Sequence, residues 1–219
     1  MSDIVYKGDI VKNLCEQIDG KKEVAPSSSF DINLIHRCSR QQILRSRSSA
    51  TRKNVNKVFH ENAIKNKWTE ILRACKKVRI VENKPMLADT NCNITVIADV
   101  VIEFKDNIYI VNVVSVDSQI FSKVKDNGPR RKDVITMQAY IWLSELEKGI
   151  IIYEDISNQQ YDVFLVRKDI LMINAIETKL KKLTSFQISG VIPDVPDDIN
   201  KIECESCEHK QTCKKQLGD

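Results

Sequence analysis

Two long apolar segments near the middle of the 219-residue chain limit its possible folds more than any other feature. ITVIADVVIEF spans residues 94–104 and IYIVNVVSV spans residues 108–116, and both are rich in the β-branched residues typical of buried strands. The intervening Lys105-Asp106-Asn107 has the composition of a tight turn. We therefore predict a β-hairpin at the centre of the fold.

Helical patterns lie on both sides of this hairpin. From about Asn54 to Cys75, apolar residues recur at three- and four-residue intervals, which predicts one long helix. A short helix is expected at 9–18, and another, capped by the serines of 26–29, holds Leu34, Ile35, Cys38, Ile43 and Leu44. The remaining expected elements are strands at 78–81, 149–155 and 161–167, a loop at 122–133, and helices at 134–147 and near 168–183. This order predicts an α/β fold with a mixed central sheet flanked by helices.

Composition divides the chain into three parts. We expect an N-terminal extension over 1–27, one folded domain over 28–187, and a C-terminal tail over 188–219. The tail begins with ISGVIPDVPDDINKIE, whose prolines and small residues are typical of an extended tether.

Basic residues are unevenly distributed, although the net charge is only +4. The segment from His36 to Lys57 contains no carboxylate and holds Arg37, Arg40, Arg45, Arg47, Arg52, Lys53 and Lys57. The segment 122–133 adds Lys123, Lys125, Arg130, Arg131 and Lys132. Such segments attract polyanions, so both are candidate nucleic-acid-binding surfaces, with DNA as the expected partner. The alternative is a solvated basic face without a ligand.

The expected compartment follows from what the sequence lacks. The chain has no apolar run near twenty residues, and its first residues, MSDIVYKGDIVKNL, do not have the blocks of a signal peptide. We expect a cytoplasmic protein in a reducing environment, without a membrane partner. In such a compartment, closely spaced cysteines favour a metal or cluster over a disulfide.

Several separated motifs carry polar or sulfur chemistry. Three of the seven cysteines lie within CESCEHKQTC at 204–213, with the spacing C-x2-C-x5-C. A distant cysteine is found in LIHRCSRQQIL, a histidine in VFHENAIKNKW, an aspartate in VIADVVIEF and a tyrosine in TMQAY; these residues are Cys38, His60, Asp99 and Tyr140.

Together these motifs resemble the PD-(D/E)XK nuclease superfamily. The similarity extends from about Ser28 to Cys213 and is strongest to the branch with RecB-like nucleases and the CRISPR adaptation nuclease that carries an iron-sulfur cluster. The resemblance implies a restriction-endonuclease-like core, with the Cys-rich C-terminal segment packed against an N-terminal helix. Relatives of this size are frequent in viruses and mobile elements.

The resemblance also implies a 4Fe-4S cluster. Cys204, Cys207 and Cys213 match the three ligands that follow the core in this branch, and Cys38 matches the upstream fourth ligand. Zinc is the alternative, held by the three tail cysteines with either His209 or Cys38. Cys15, Cys75 and Cys92 are interpreted as ordinary thiols.

The implied nuclease site is degenerate. The family binds Mg²⁺ or Mn²⁺ with a strand aspartate, a glutamate on the next strand and often a helical histidine, and a lysine two residues after the glutamate activates water. Asp99 matches the strand aspartate, His60 matches the helical histidine, and Tyr140 matches a helical tyrosine. Asn112 and Val114, however, replace the glutamate and the lysine, and Thr136 replaces a glutamine. A neutral amide weakens cation binding, and valine cannot act on water.

Two alternatives to this alignment stay open. Glu103-Phe104-Lys105 also spells Glu-x-Lys and follows Asp89, which would make an intact site. A lysine from the 122–133 segment, Lys123, Lys125 or Lys132, could also take the role of the missing lysine.

The sequence therefore favours a nucleic-acid-binding or assembly protein that has lost nuclease chemistry and acts by holding DNA or a protein partner. The alternative is an active Mg²⁺- or Mn²⁺-dependent deoxyribonuclease of recombination, repair or replication. A third reading is a zinc-bearing interaction module.

Overall fold

The structure is a computed structural model that describes residues 30–47, 55–194, 204–205 and 207–215. Several expectations fall outside these residues: the helix at 9–18, the thiol of Cys15, the cations Arg52 and Lys53, and most of the predicted tether. The side chain of Lys57 also lies outside the description. None of the helices in the described ranges combines the length and the apolar character needed to cross a bilayer.

The described chain alternates helices with strands. A 3₁₀ turn, Ile32–Leu34, precedes helices α1 (Ser39–Arg47) and α2 (Val55–Ala74). Five strands follow: β1 (Val78–Asn83), β2 (Met86–Asp89), β3 (Ile94–Ile97), β4 (Val100–Phe104) and β5 (Asn107–Val116). The rest is α3 (Ser118–Asn127), α4 (Arg131–Leu143), β6 (Lys148–Asp155), β7 (Tyr161–Arg167), α5 (Ile170–Ser189) and α6 (Lys210–Lys215).

The central sheet is mixed, which confirms the predicted fold class. Its order is β1-β4-β5-β6-β7, with β5 and β6 parallel and the other neighbours antiparallel. Strands β2 and β3 form a separate two-stranded antiparallel sheet. Because β5 and β6 are parallel, the chain must cross over between them, and α3 and α4 make this connection.

The predicted hairpin is present as β4 and β5. Phe104 pairs with Asn107, so the turn contains two residues, Lys105 and Asp106, with φ angles of 50° and 57°. Positive φ at both central positions suits the right-handed twist of the strands. The Asn107 side chain also donates a 2.8 Å hydrogen bond to the Lys105 carbonyl oxygen.

The single strand expected over 94–104 is instead two strands in different sheets. The chain bends at Ala98 and Asp99, whose backbone groups bond to Pro85 and Lys84. This bend directs β3 to β2 and β4 to the central sheet. Strand β2 was missed because it is only four residues long and follows a proline. Its sequence, MLAD, also shows no clear alternation of apolar and polar residues.

Two helix predictions also need correction. Part of the expected loop at 122–133 is α3, which Asp117 caps by accepting a 2.9 Å hydrogen bond from the Ile120 amide and which ends at Gly128. Its many charges hid the two buried residues Phe121 and Val124, three positions apart. The helix expected around Cys38 is interrupted there, between the 3₁₀ turn and α1.

The core lies on both faces of the central sheet. On one face, side chains of β5 and β6 such as Ile110 and Tyr153 pack against α4 and α5. On the other face, Val111 and Val113 pack with Trp68 of α2. Successive residues of β5 therefore contribute to opposite layers, as expected for a strand buried on both sides.

The C-terminal tail lies against α1, as the sequence predicted. Arg40 is 4% exposed, and its guanidinium donates to the Pro193 carbonyl oxygen at 2.9 Å and to Cys213 Sγ at 3.1 Å. Arg45 Nη1 lies 3.0 Å from Glu208 Oε1. Two arginines of α1 thus hold the tail.

Close packing of α4 on β6 generates a stability prediction. A Cβ at buried Gly149 would overlap the Met137 side chain, which is itself fully buried. We expect Gly149→Ala to lower the free energy of unfolding by about 1–3 kcal/mol in chemical denaturation. Combining it with Met137→Val should cost less than the sum of the two single changes. A Gly149→Ala protein as stable as the wild type would contradict this packing.

Candidate functional site

Asp99 lies at the centre of the candidate site, in the bend between β3 and β4. It is buried, and each carboxylate oxygen has a partner: Oδ2 accepts a 2.7 Å hydrogen bond from the Val113 amide, and Oδ1 lies 2.8 Å from the Lys65 ammonium. Because the Asp99 carboxylate bonds to the Val113 amide, Asp99 lies next to the part of β5 that contains Asn112.

Lys65 is the site residue that sequence reasoning missed. It lies on α2, three residues before the buried Trp68 and seven before the partly buried Leu72, so it shares their face of the helix. The sequence shows that Lys65 lies within an apolar stripe, where a lysine packs its stem and keeps its charged end accessible, but it does not identify the partner of that charge.

Asn112 and Val114 both lie on β5, and neither side chain carries a charge. Asn112 is buried, and Val114 packs against the larger hydrophobic cluster. A neutral amide thus lies where the alignment requires a carboxylate, and an apolar side chain lies where it requires an ammonium.

Tyr140 of α4 also interacts electrostatically with Asp99. Burial raises the pKa of the Tyr140 phenol, and the nearby carboxylates of Asp99 and Asp31 raise this pKa further. The phenol therefore stays neutral at physiological pH and brings no charge of its own. Thr136, one turn earlier, donates its hydroxyl to the Lys132 carbonyl oxygen of the same helix at 3.1 Å.

The structure does not place His60 at Asp99. His60 is exposed near the start of α2, where its ring meets the Phe59 ring edge-on with centroids 6.4 Å apart. It precedes Lys65 by five residues, about one and a half helical turns. The α2 residue that contacts Asp99 is Lys65.

The residues present do not fit a divalent cation. Asp99 is a single carboxylate already paired with an ammonium, and Asn112 on the adjacent part of β5 is a neutral amide. Within the described ranges, no group of three or more His, Cys, Asp or Glu side chains could hold a metal ion. Mg²⁺ and Mn²⁺ need several oxygen ligands with enough negative charge to replace water, and this arrangement lacks that charge.

The competing Glu-x-Lys motif is dispersed over two sheets. Glu103 of β4 forms an ion pair with Arg79 of β1, and Lys105 lies in the hairpin turn. Asp89 ends β2 in the separate sheet and accepts a 2.8 Å hydrogen bond from the Cys92 amide. The candidate replacement lysines Lys123, Lys125 and Lys132 are exposed on α3 and α4.

A second buried carboxylate fixes α2 to the sheet. Glu154 of β6 accepts a 2.5 Å hydrogen bond from the Trp68 indole and lies 2.5 Å from the Lys67 ammonium. Trp68 also meets Tyr161 of β7 edge-on, with centroids 5.0 Å apart. Two residues beyond Lys65, α2 is thus attached to another strand.

The predicted cluster ligands differ in burial from two other cysteines. Cys38, Cys204, Cys207 and Cys213 are outside any disulfide and of intermediate burial, whereas Cys75 is exposed and Cys92 is buried. Burial, reinforced by the carboxylate of Asp89, raises the pKa of Cys92 to about 11, so this thiol stays protonated. Cys38 immediately precedes α1, and Cys213 contacts α1 through Arg40.

The predicted nucleic-acid-binding cations differ in their exposure to solvent. Arg37, Arg47, Lys123, Lys125, Arg131 and Lys132 are exposed. Arg40 was wrongly assigned to this surface, because it is buried against the tail. Arg45 pairs with Glu208, and Arg130 bonds to Asp133 at 2.5 Å and lies over the Tyr153 ring.

Solved structures share this architecture. The crystal structure of a protein named SSO0001 aligns with a TM-score of 0.58 and 16% identity, over 95% of this chain and 98% of that one. The alkaline exonuclease LHK-Exo from Laribacter hongkongensis aligns with a TM-score of 0.53 and 10% identity, over 76% and 91% of the two chains. LHK-Exo in complex with dAMP gives a TM-score of 0.52 at 11% identity, over 69% and 76%.

The chain has a nuclease-like fold. No protein-family model and no curated protein matches the sequence. At such low identities, these comparisons show only that the backbone fold is shared. The activity has to be argued from the side chains described above.

Proposed function

We propose that this chain is a nucleic-acid-binding protein with a nuclease-like fold that does not cleave its ligand. The observation that carries the proposal is the neutral, buried Asn112 on β5, next to Val113, whose amide bonds to Asp99. Loss of that carboxylate removes the negative charge on which a catalytic divalent ion depends. Val114, two residues later, cannot donate a hydrogen bond to an attacking water.

The exposed cations of α3 and α4 support binding of a polyanion. Lys123 and Lys125 lie on α3, and Arg131 and Lys132 lie on the first turn of α4. Tyr140 belongs to the same helix, nine residues after Arg131, which corresponds to about 13 Å along the helix axis. Helix α4 thus carries both exposed cations and Tyr140, whose phenol lies close enough to Asp99 for that carboxylate to raise its pKa.

Binding should depend on these cations. We expect the double change Lys123→Glu and Lys125→Glu to weaken binding of single- and double-stranded DNA oligonucleotides and to reduce its salt dependence, measured by fluorescence anisotropy. Lys76→Glu with Lys77→Glu is the matched control, because it reverses two exposed charges away from α3 and α4. Equal losses in the two variants would mean that α3 is not the binding surface.

Cleavage should be absent with either Mg²⁺ or Mn²⁺. The reverse test is to restore Asn112→Glu and Val114→Lys together, which should raise Mn²⁺ affinity and introduce nicking, since carboxylate and lysine act on the same phosphate and water. Adding Asp99→Ala should abolish the new activity. Cleavage by the wild-type protein that is lost in Glu103→Ala but kept in Asn112→Ala would reject this assignment in favour of an active nuclease.

We also propose that Cys38, Cys204, Cys207 and Cys213 hold a 4Fe-4S cluster. The proposal rests on the C-x2-C-x5-C spacing of the tail cysteines and on Arg40 and Arg45, which hold the tail against α1. In the described structure the four thiols are not gathered into a group that could hold a metal, so cluster binding would have to draw them together. The Arg40 N–H directed at Cys213 Sγ is the kind of hydrogen bond that stabilises a cluster sulfur. When bound, the cluster would supply a crosslink between the tail and the segment before α1.

Iron content tests this assignment. Anaerobically purified protein should be brown and contain about four irons per chain, with a broad absorption near 400 nm. Cys207→Ser should lose the colour, whereas Cys75→Ser, which removes an exposed thiol outside the set, should keep it. Stoichiometric zinc without iron would show that the tail forms a zinc site.

A further inference from the structure

The Asp99 carboxylate is paired with the Lys65 ammonium at the position where the family resemblance implies a divalent ion. We propose that Lys65 takes over both electrostatic tasks of that ion, neutralising Asp99 and binding one phosphate of the nucleic-acid backbone, so that binding is independent of divalent cations. This inference rests on the proposed function, because it names the residue through which the same pocket holds its ligand.

The first task follows from the environment of Asp99. A buried carboxylate is costly unless it is hydrogen-bonded and paired with an opposite charge. The Val113 amide supplies the hydrogen bond at 2.7 Å, and Lys65 supplies the charge at 2.8 Å. Asn112 and Tyr140 are neutral, and the next lysine of α2, Lys67, is paired with Glu154. Among the described contacts of Asp99, Lys65 is thus the source of positive charge.

The second task follows from the exposure of Lys65. Its side chain is 34% exposed although its partner is buried, so the ammonium lies at the boundary between the pocket and solvent. An ammonium has three N–H donors, and Asp99 needs only one of them. The other donors can bind an anionic oxygen that approaches from solvent. A phosphate oxygen is the anionic group that a nucleic-acid backbone presents.

A divalent ion is disfavoured at the same position. It would have to displace the ammonium and then rely on one carboxylate and one amide oxygen, since Asn112 is neutral. Mg²⁺ gives up its water reluctantly and needs more charge than these ligands offer. The side chains around Asp99 therefore suit a single positive charge that belongs to the protein itself, the Lys65 ammonium.

The test compares three proteins in buffer containing EDTA. Lys65→Met alone could leave Asp99 buried without a counter-charge and unfold the chain, so the informative variant is Lys65→Met with Asp99→Asn, which removes both charges together. We expect it to bind DNA severalfold more weakly than the wild type and to lower the slope of log affinity against log salt by about 1. Lys76→Met, which removes an exposed cation outside the pocket, should leave the slope unchanged.

A second measurement uses EDTA-free buffer with Mn²⁺ at a concentration stoichiometric with the protein. Wild-type affinity for DNA should stay as it is in EDTA. A rise in affinity that disappears in Asp99→Asn would overturn the inference, because Asp99 would then be holding the metal. An unchanged salt slope in the double variant would overturn it as well. If the wild type bound no nucleic acid at low salt, the proposed function itself would fail, so the two failures are distinguishable.

Discussion

The ion pair between Lys65 and Asp99 organises the centre of this molecule. Asp99 marks the bend at which the chain leaves the small sheet and enters the central one, and its carboxylate also accepts the Val113 amide. One side chain therefore connects the bend, strand β5 and helix α2. Because the carboxylate is buried, this connection depends on a nearby positive charge. Lys65, on the side of α2 that faces the sheet, provides it. Charge neutralisation at Asp99 and the packing of α2 on the sheet therefore depend on the same ion pair.

The sequence was sufficient for the parts of the fold that short-range patterns govern. The central hairpin, the long helix α2 and strands β5 to β7 were predicted close to their observed bounds, because β-branched runs and helical periodicity are local properties. Strand β2 and helix α3 were missed for the same reason, since one is four residues long and the other is masked by its charges. Their formation depends on neighbours that are distant in sequence.

The candidate site was predictable only in part. Asp99, Asn112 and Tyr140 could be located by motif, because each is flanked by a recognisable sequence pattern. Lys65 belongs to no such motif, and its role appears only when α2 is placed on the sheet. Arg40 is the opposite case: its charge suggested a surface role, but the tail covers it. Composition reports the charge of a residue, whereas burial decides whether that charge faces solvent or another part of the chain.

The second attachment of α2, through Trp68 and Lys67 to Glu154, has a mechanical consequence. A helix held by apolar contacts alone can slide along a sheet by one turn, about 5.4 Å, and exchange one set of side chains for another. Helix α2 is held by two buried carboxylates, Asp99 in the bend before β4 and Glu154 on β6, so such a step would separate both acids from their lysines. Its sliding and its rotation are both blocked. His60, on the other side of the axis, is thereby kept out of the pocket for as long as the domain is folded.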